Sequence, residues 1–283
     1  DTGDEYNFDQ PKQDRTYSSR ELKSKITIVE NGPARCTLKV EYDFLLPVSA
    51  TEDRKTRLNS LISCPTTCYV SLYAKVPRVD FKLEFENSAK DHRLRVLFPT
   101  GIRCDSSFAD QAFHVIKRQV ELPDSEGWVE LPVPTQPMQS FALAGDADKG
   151  VTVATRGLQE YEVTKEGVIA ITLLRCVGWL SQEDLSIRPA AGPLIPAPGA
   201  QCQGRQTFFY SVIPYVGNWE TAKVYLQAMQ HQAPMKTVQV VEHEFAFMGE
   251  QAIVPGEFME PLTQKTTSSS RTLPLNLSFL SVE

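Results

Sequence analysis

The stretch "CTLKVEYDF", Cys36 to Phe44, decides the fold class of this chain. Cys36, Leu38, Val40, Tyr42 and Phe44 alternate with Thr37, Lys39, Glu41 and Asp43, and a period of two places the sets on opposite faces of a strand, one buried and one wet. Just upstream, "KITIVENGPA" supplies a strand around Ile26 and Ile28, then an Asn31-Gly32-Pro33 break that suits a hairpin turn. Downstream, "VDFKLEFE" repeats the alternation with Val79, Phe81, Leu83 and Phe85 on one side. "HRLRVLFP" follows after the short polar connection Asn87 to Asp91, and the pair is expected to form a second hairpin.

The pattern continues. "ALAGDADKGVTVAT" and "YEVTKEGVIAITLLR" each hold a polar, glycine-flanked turn between apolar segments, so a meander is expected to run to about Leu180. Residues 188–204, "RPAAGPLIPAPGAQCQG", concentrate Pro, Gly and Ala and read as a long loop. "TFFYSVIPY" resumes strand character. Asn218 to His231 is the one helical stretch, with Asn218 as cap and Ala222, Tyr225, Leu226 and Met229 as the buried stripe. Residues 245–272 read as loop and low-complexity sequence, and "LPLNLSFLSVE" closes with a strand. The expectation is an all-β domain of large antiparallel sheets with one short helix, spanning residues 1–283 as a single unit.

Composition excludes several function classes. With 283 residues, 41% of them hydrophobic, a large core is within reach. A net charge of -6 argues against a nucleic-acid surface, because phosphate neutralisation needs clustered Lys and Arg. The longest apolar runs, such as "VIAITLL", are far short of the ~20 residues that span a bilayer, so no membrane partner is expected. Six sparse, irregularly spaced cysteines read as reduced thiols of a cytoplasmic protein.

Motifs of self-contained catalysis are missing. No G-x-S-x-G, G-x-x-x-x-G-K-[ST] or G-x-G-x-x-G occurs, and His92, His114, His231 and His243 do not pair at metal-ligand spacing. "CPTTC" brings Cys64 and Cys68 close without the second pair that zinc would need. "GDADKG" lacks the later glutamate of a calcium loop and reads as a hairpin turn. Trp128, Trp179, Trp219, Tyr6 and Tyr210 could stack on sugars, although aromatics in β proteins are mostly core.

Four stretches in order carry a resemblance: "GDEYNF" (Gly3 to Phe8), "DHRLRVLFPTG" (Asp91 to Gly101), "ITLLRCVGWLS" (Ile171 to Ser181) and "AGPLIPAPGAQCQG" (Ala191 to Gly204). They resemble the C-terminal β region of glycoside hydrolase family 38, the α-mannosidases, most closely its bacterial cytosolic branch. "FADQAFHVIKRQVELP" and "GWVELPVPTQPMQSFALAGD" between them are similar too. The resemblance implies a galactose-mutarotase-like supersandwich. It also implies an excised portion of a longer, retaining, zinc-dependent exo-α-mannosidase: zinc, nucleophile and acid/base would belong to an N-terminal catalytic domain absent from this chain. No cofactor or metal ligand is then expected here, and this portion would supply scaffold and one wall of the sugar site.

By the same resemblance, Tyr6 matches a tyrosine that reaches into the sugar site, and Arg175, closing the "LLR" strand, is a second candidate substrate contact. The plain alternatives are an aromatic packed on the sheet and an ion pair that only orders the meander. With upstream sequence removed, Tyr6 is expected near a frayed end. The implied partners are an α-mannoside and the missing catalytic domain, and a homo-oligomer stays open. A mannosylglycerate-type hydrolase, for which Arg175 and Arg188 alone are too few basic residues to decide, and a stand-alone carbohydrate-binding module are the alternatives.

Overall fold

The computed structural model describes residues 1–235 and 279–282. Fifteen strands are found among them: β1 (Tyr17–Ser18), β2 (Lys25–Asn31), β3 (Arg35–Pro47), β4 (Leu61–Tyr73), β5 (Val79–Asn87), β6 (Arg93–Pro99), β7 (Ser106–Gln111), β8 (His114–Gln119), β9 (Gln136–Pro137), β10 (Phe141–Gly145), β11 (Lys149–Arg156), β12 (Glu160–Val163), β13 (Val168–Arg175), β14 (Gly204–Val216) and β15 (Phe279–Val282). A single α-helix among the described residues, α1, covers Val224–Gln232. All pairings are antiparallel. One sheet has nine strands in the order β2-β3-β4-β5-β14-β11-β10-β7-β8, the other six in the order β1-β15-β6-β13-β12-β9. The expected all-β, antiparallel class holds.

The alternating strands meet face to face, as two half-apolar sheets must. Phe81 of β5 and Tyr210 of β14 stack with centroids 5.1 Å apart, and Phe98 of β6 meets them edge-on at 6.4 and 5.8 Å, linking the two sheets. Aromatic pairs of this kind add about 0.5–1.5 kcal/mol each beyond their burial. Tyr210, a candidate sugar-stacking face on sequence grounds, is therefore core, with 1% of its surface exposed.

Three local expectations change. "VDFKLEFE" and "HRLRVLFP" do not form a hairpin: β5 pairs with β4 and β14, whereas β6 crosses to the other sheet and pairs with β13 and β15. The corner is turned at Asp91, whose φ is +53°. Periodicity reports the faces of a strand and not its neighbours, so a crossover looks like a hairpin in sequence. In β3 the division into wet and buried faces holds at its end, where Phe44 and Leu46 are buried. Near its start Leu38 is 36% exposed, while Thr37 is buried and shares a hydrogen bond with Ser71.

The helix is shorter and rotated. Asn218 accepts the Glu220 amide through its side chain and opens a turn, not α1. The buried residues are Val224, Ala228 and His231; Ala222, Leu226 and Met229 of the expected stripe face solvent, and Tyr225 is half-buried. Val224 and Ala228 pack on Phe141, Leu143, Ala154 and Ile213, which project from the outer face of the nine-stranded sheet. No helix among the described residues is long and apolar enough to cross a membrane.

Strand β13 ends at Arg175, so the meander stops short of Leu180. Residues 188–204 are mostly irregular, with a 3-10 turn at Pro198–Gln201. The chain divides into two compact units, Asp1–Ala233 with Asn276–Glu283, and Pro234–Leu275. The expected loop 245–272 and His243 lie outside the described residues.

Candidate functional site

Residues 1–9 form a closed loop without regular structure, held against the outer face of the six-stranded sheet. Its first four residues, Asp1 to Asp4, are buried. Asp4 is fully buried because its carboxylate is surrounded by donors: Oδ1 accepts the amides of Tyr6 (3.0 Å) and Asn7 (2.8 Å), and Oδ2 accepts the Gln182 amide (2.8 Å) and Arg188 Nη2 (2.6 Å). An aspartate that captures the amides two and three residues on makes a local turn. Burial opposes its ionisation, yet the Asn7 and Gln182 amides and Arg188 outweigh that and hold its pKa below the ordinary carboxylate value.

The loop closes on itself at Gly3, where a Cβ would lie 2.1 Å from the Asn7 carbonyl oxygen. Arg175 clamps its base, donating from Nε to Asp1 Oδ2 at 3.0 Å and from Nη2 to the Asp4 carbonyl at 2.8 Å. Burial draws the Arg175 pKa below the usual guanidinium range. Ser186 secures the far end through two hydrogen bonds to the Asp9 carboxylate, at 2.8 and 2.7 Å. The expected frayed end is thus absent, because each carboxylate that enters the interior finds several donors there.

Glu5 and Tyr6 escape this burial. Tyr6 is 58% exposed and overlooks a cleft of about 780 Å³. Phe8 lies over the Arg93 guanidinium, 3.5 Å from carbon to ring centroid. The cleft floor is the outer face of β6, β12 and β13: Arg95 pairs with Glu162 at 2.6 Å, and Thr172 donates to Glu160 at 2.6 Å. A bulge at Leu173 shifts the register of β13 against β6. Residues three apart would otherwise point to opposite faces, but the extra residue lets Thr172 and Arg175 both line the cleft.

Tyr6 and Arg175 are therefore brought to one cleft, Tyr6 open to solvent and Arg175 tied to the loop. Sequence reasoning missed Asp4 and the pairing of Arg188; an aspartate followed closely by Tyr-Asn could have suggested the turn, but nothing local announces its partner.

Among the described residues no three of His, Cys, Asp or Glu gather to hold a metal ion. All six cysteines are free. Cys176 lies 3.7 Å from His92 and 3.4 Å from Asn87, the side-chain types of a thiol protease. Burial pushes the Cys176 thiol up to about 12 and His92 down to about 3, so both are neutral and closed to substrate.

Comparison with known proteins adds the family. The model of the glycosyl hydrolases family 38 C-terminal domain matches residues 1–184. A protein of Halalkalibacterium halodurans named "Putative mannosylglycerate hydrolase" is 29% identical over 244 residues, which cover 81% of this chain and 26% of that protein. The crystal structure of an α-mannosidase from Enterococcus faecalis V583 matches with a TM-score of 0.72 at 33% identity, over 82% of this chain and 26% of that one. A family 38 protein from Enterococcus faecalis also gives 0.72, at 32% identity over 82% and 27%. The chain spans about a quarter of the length of these relatives. The matched segment takes in more than half of the 283 residues, among them the whole N-terminal loop and the cleft floor, and the chain belongs to the C-terminal domain family of glycosyl hydrolase family 38.

Proposed function

We propose that this chain is the C-terminal β domain of a retaining, zinc-dependent exo-α-mannosidase, and that it supplies the scaffold and one wall of the sugar site. The observation that carries the reading is Tyr6, an exposed aromatic on a loop anchored by buried Asp1 and Asp4, standing at the mouth of a cleft. A tyrosine suits a sugar because its ring face packs on C–H groups while its hydroxyl donates to or accepts from sugar hydroxyls. Arg175 acts with it, holding the base of the loop and bordering the cleft.

Zinc is assigned by this reading to the rest of the polypeptide, where it would supply Lewis-acid orientation of sugar hydroxyls. Glu160 and Glu162 are engaged with Thr172 and Arg95, and neither is assigned as acid or nucleophile. Retention needs two carboxylates about 5 Å apart, proposed to reside outside this chain.

Purified side by side, the full-length protein should hydrolyse an aryl α-mannoside and lose activity with a chelator, and this chain alone should be inactive. Chelator-sensitive turnover by the chain alone would overturn the reading. A mannosylglycerate-type substrate is favoured by the Halalkalibacterium halodurans relative. Comparing kcat/KM for mannosylglycerate and for the aryl mannoside decides between them.

A further inference from the structure

We propose that the buried Asp4–Arg188 ion pair is the positioning device for Tyr6, an inference that rests on the reading of Tyr6 as a sugar contact. Arg188 grips the loop on both sides of that residue: Nη2 donates to Asp4 Oδ2 at 2.6 Å and Nε donates to the Asn7 side-chain oxygen. Its third nitrogen, Nη1, donates to the Pro189 carbonyl at 3.0 Å, fixing the guanidinium within its own chain segment. The guanidinium carbon also lies 5.9 Å from the Tyr6 ring centroid, at the outer range of cation–π attraction.

The ring also has a neighbour in the loop that follows Arg188. A Cβ at Gly192 would lie 3.8 Å from Tyr6 Cε2, so the loop after Arg188 runs along the ring edge. Tyr6 thus has both Arg188 and Gly192 as neighbours, and Asp4 holds the Tyr6 and Asn7 amides. Both charges are almost fully desolvated, with side-chain exposures of 0% for Asp4 and 4% for Arg188. A buried pair gains little net stability over apolar packing, because desolvation offsets attraction. What it does supply is direction: a planar fork with five donors defines an orientation that a lysine or an apolar contact does not.

Arg175 differs in kind. It binds Asp1 and the Asp4 carbonyl at the loop base and so holds only the N-terminal side of Tyr6, whereas Arg188 holds both.

The test uses the full-length enzyme with Tyr6→Phe, Tyr6→Ala, Arg188→Lys, Asp4→Asn and the Tyr6→Ala/Arg188→Lys double variant. Arg188→Lys keeps the charge and removes the fork, and should lower kcat/KM about tenfold through a misplaced ring. In the Tyr6→Ala background it should cause no further loss, since the ring it positions is already gone. Asp4→Asn keeps an oxygen for the loop amides and should follow Arg188→Lys, and it carries the comparison if Arg188→Lys does not fold. Additive losses, or wild-type kcat and KM in Arg188→Lys and Asp4→Asn while Tyr6→Phe is impaired, would overturn the positioning role alone. Unchanged kinetics in both Tyr6 variants would overturn the sugar-site reading and this inference together.

Discussion

The two sheets cover their outer faces by opposite means. On the nine-stranded sheet, α1 lays Val224 and Ala228 on Phe141, Leu143, Ala154 and Ile213. On the six-stranded sheet, residues 1–9 are fastened by buried charge, through Arg175 to Asp1 and Arg188 to Asp4. Apolar burial is non-directional and tolerates small shifts, whereas charge-assisted hydrogen bonds fix atoms to tenths of an ångström. The directional fastening is found at the cleft, where an aromatic side chain must be held out toward solvent.

The contrast can be broken from either side. Arg188→Ala leaves Asp4 buried without its counter-charge and should cost about 3–5 kcal/mol, the largest effect expected, read by urea unfolding of this chain. Ile213→Ala opens a cavity beneath α1 and should cost about 3 kcal/mol, because the helix can partly settle into the space. If Ile213→Ala proved the costlier, the ranking of the two fastenings would be reversed.

A smaller effect should follow pH. Asp4 has a folded-state pKa below its unfolded value, so its stabilisation is fully present above the ordinary aspartate range of about 4 and is lost as pH falls through the lower, folded value. The stability difference between the parent chain and Asp4→Asn should shrink across that acid window, and a constant difference would refute the assignment. The smallest effect is expected from the exposed Arg35–Glu30 pair at the β2–β3 turn, where Glu30→Gln should change stability by about 0.5 kcal/mol or less.

Much of the fold was legible because strand signals are local. The turns at Asn31 to Pro33, at Gly145 to Gly150 and at Glu166-Gly167 all join neighbouring antiparallel strands. The β5–β6 connection failed for the converse reason: its strands alternate equally well whether they pair or part. The helix stripe failed because Asn218 can cap a turn as readily as a helix, and moving the start of α1 to Val224 rotates its buried face. Arg175 was found as a residue, but not what its guanidinium binds.

By itself the sequence determined the strand periodicity, the hairpin turns and the family, since each is written in neighbouring residues or in ordered motifs. Only the tertiary structure decided which sheet receives β6, how the Leu173 bulge turns Arg175 into the cleft, and that Asp4 meets Arg188 across 184 positions. The physical reason is range. A two-residue period is set by the backbone of one strand, whereas a buried carboxylate takes whatever donors the completed fold brings to it, and their identity exists only once the chain has closed around them.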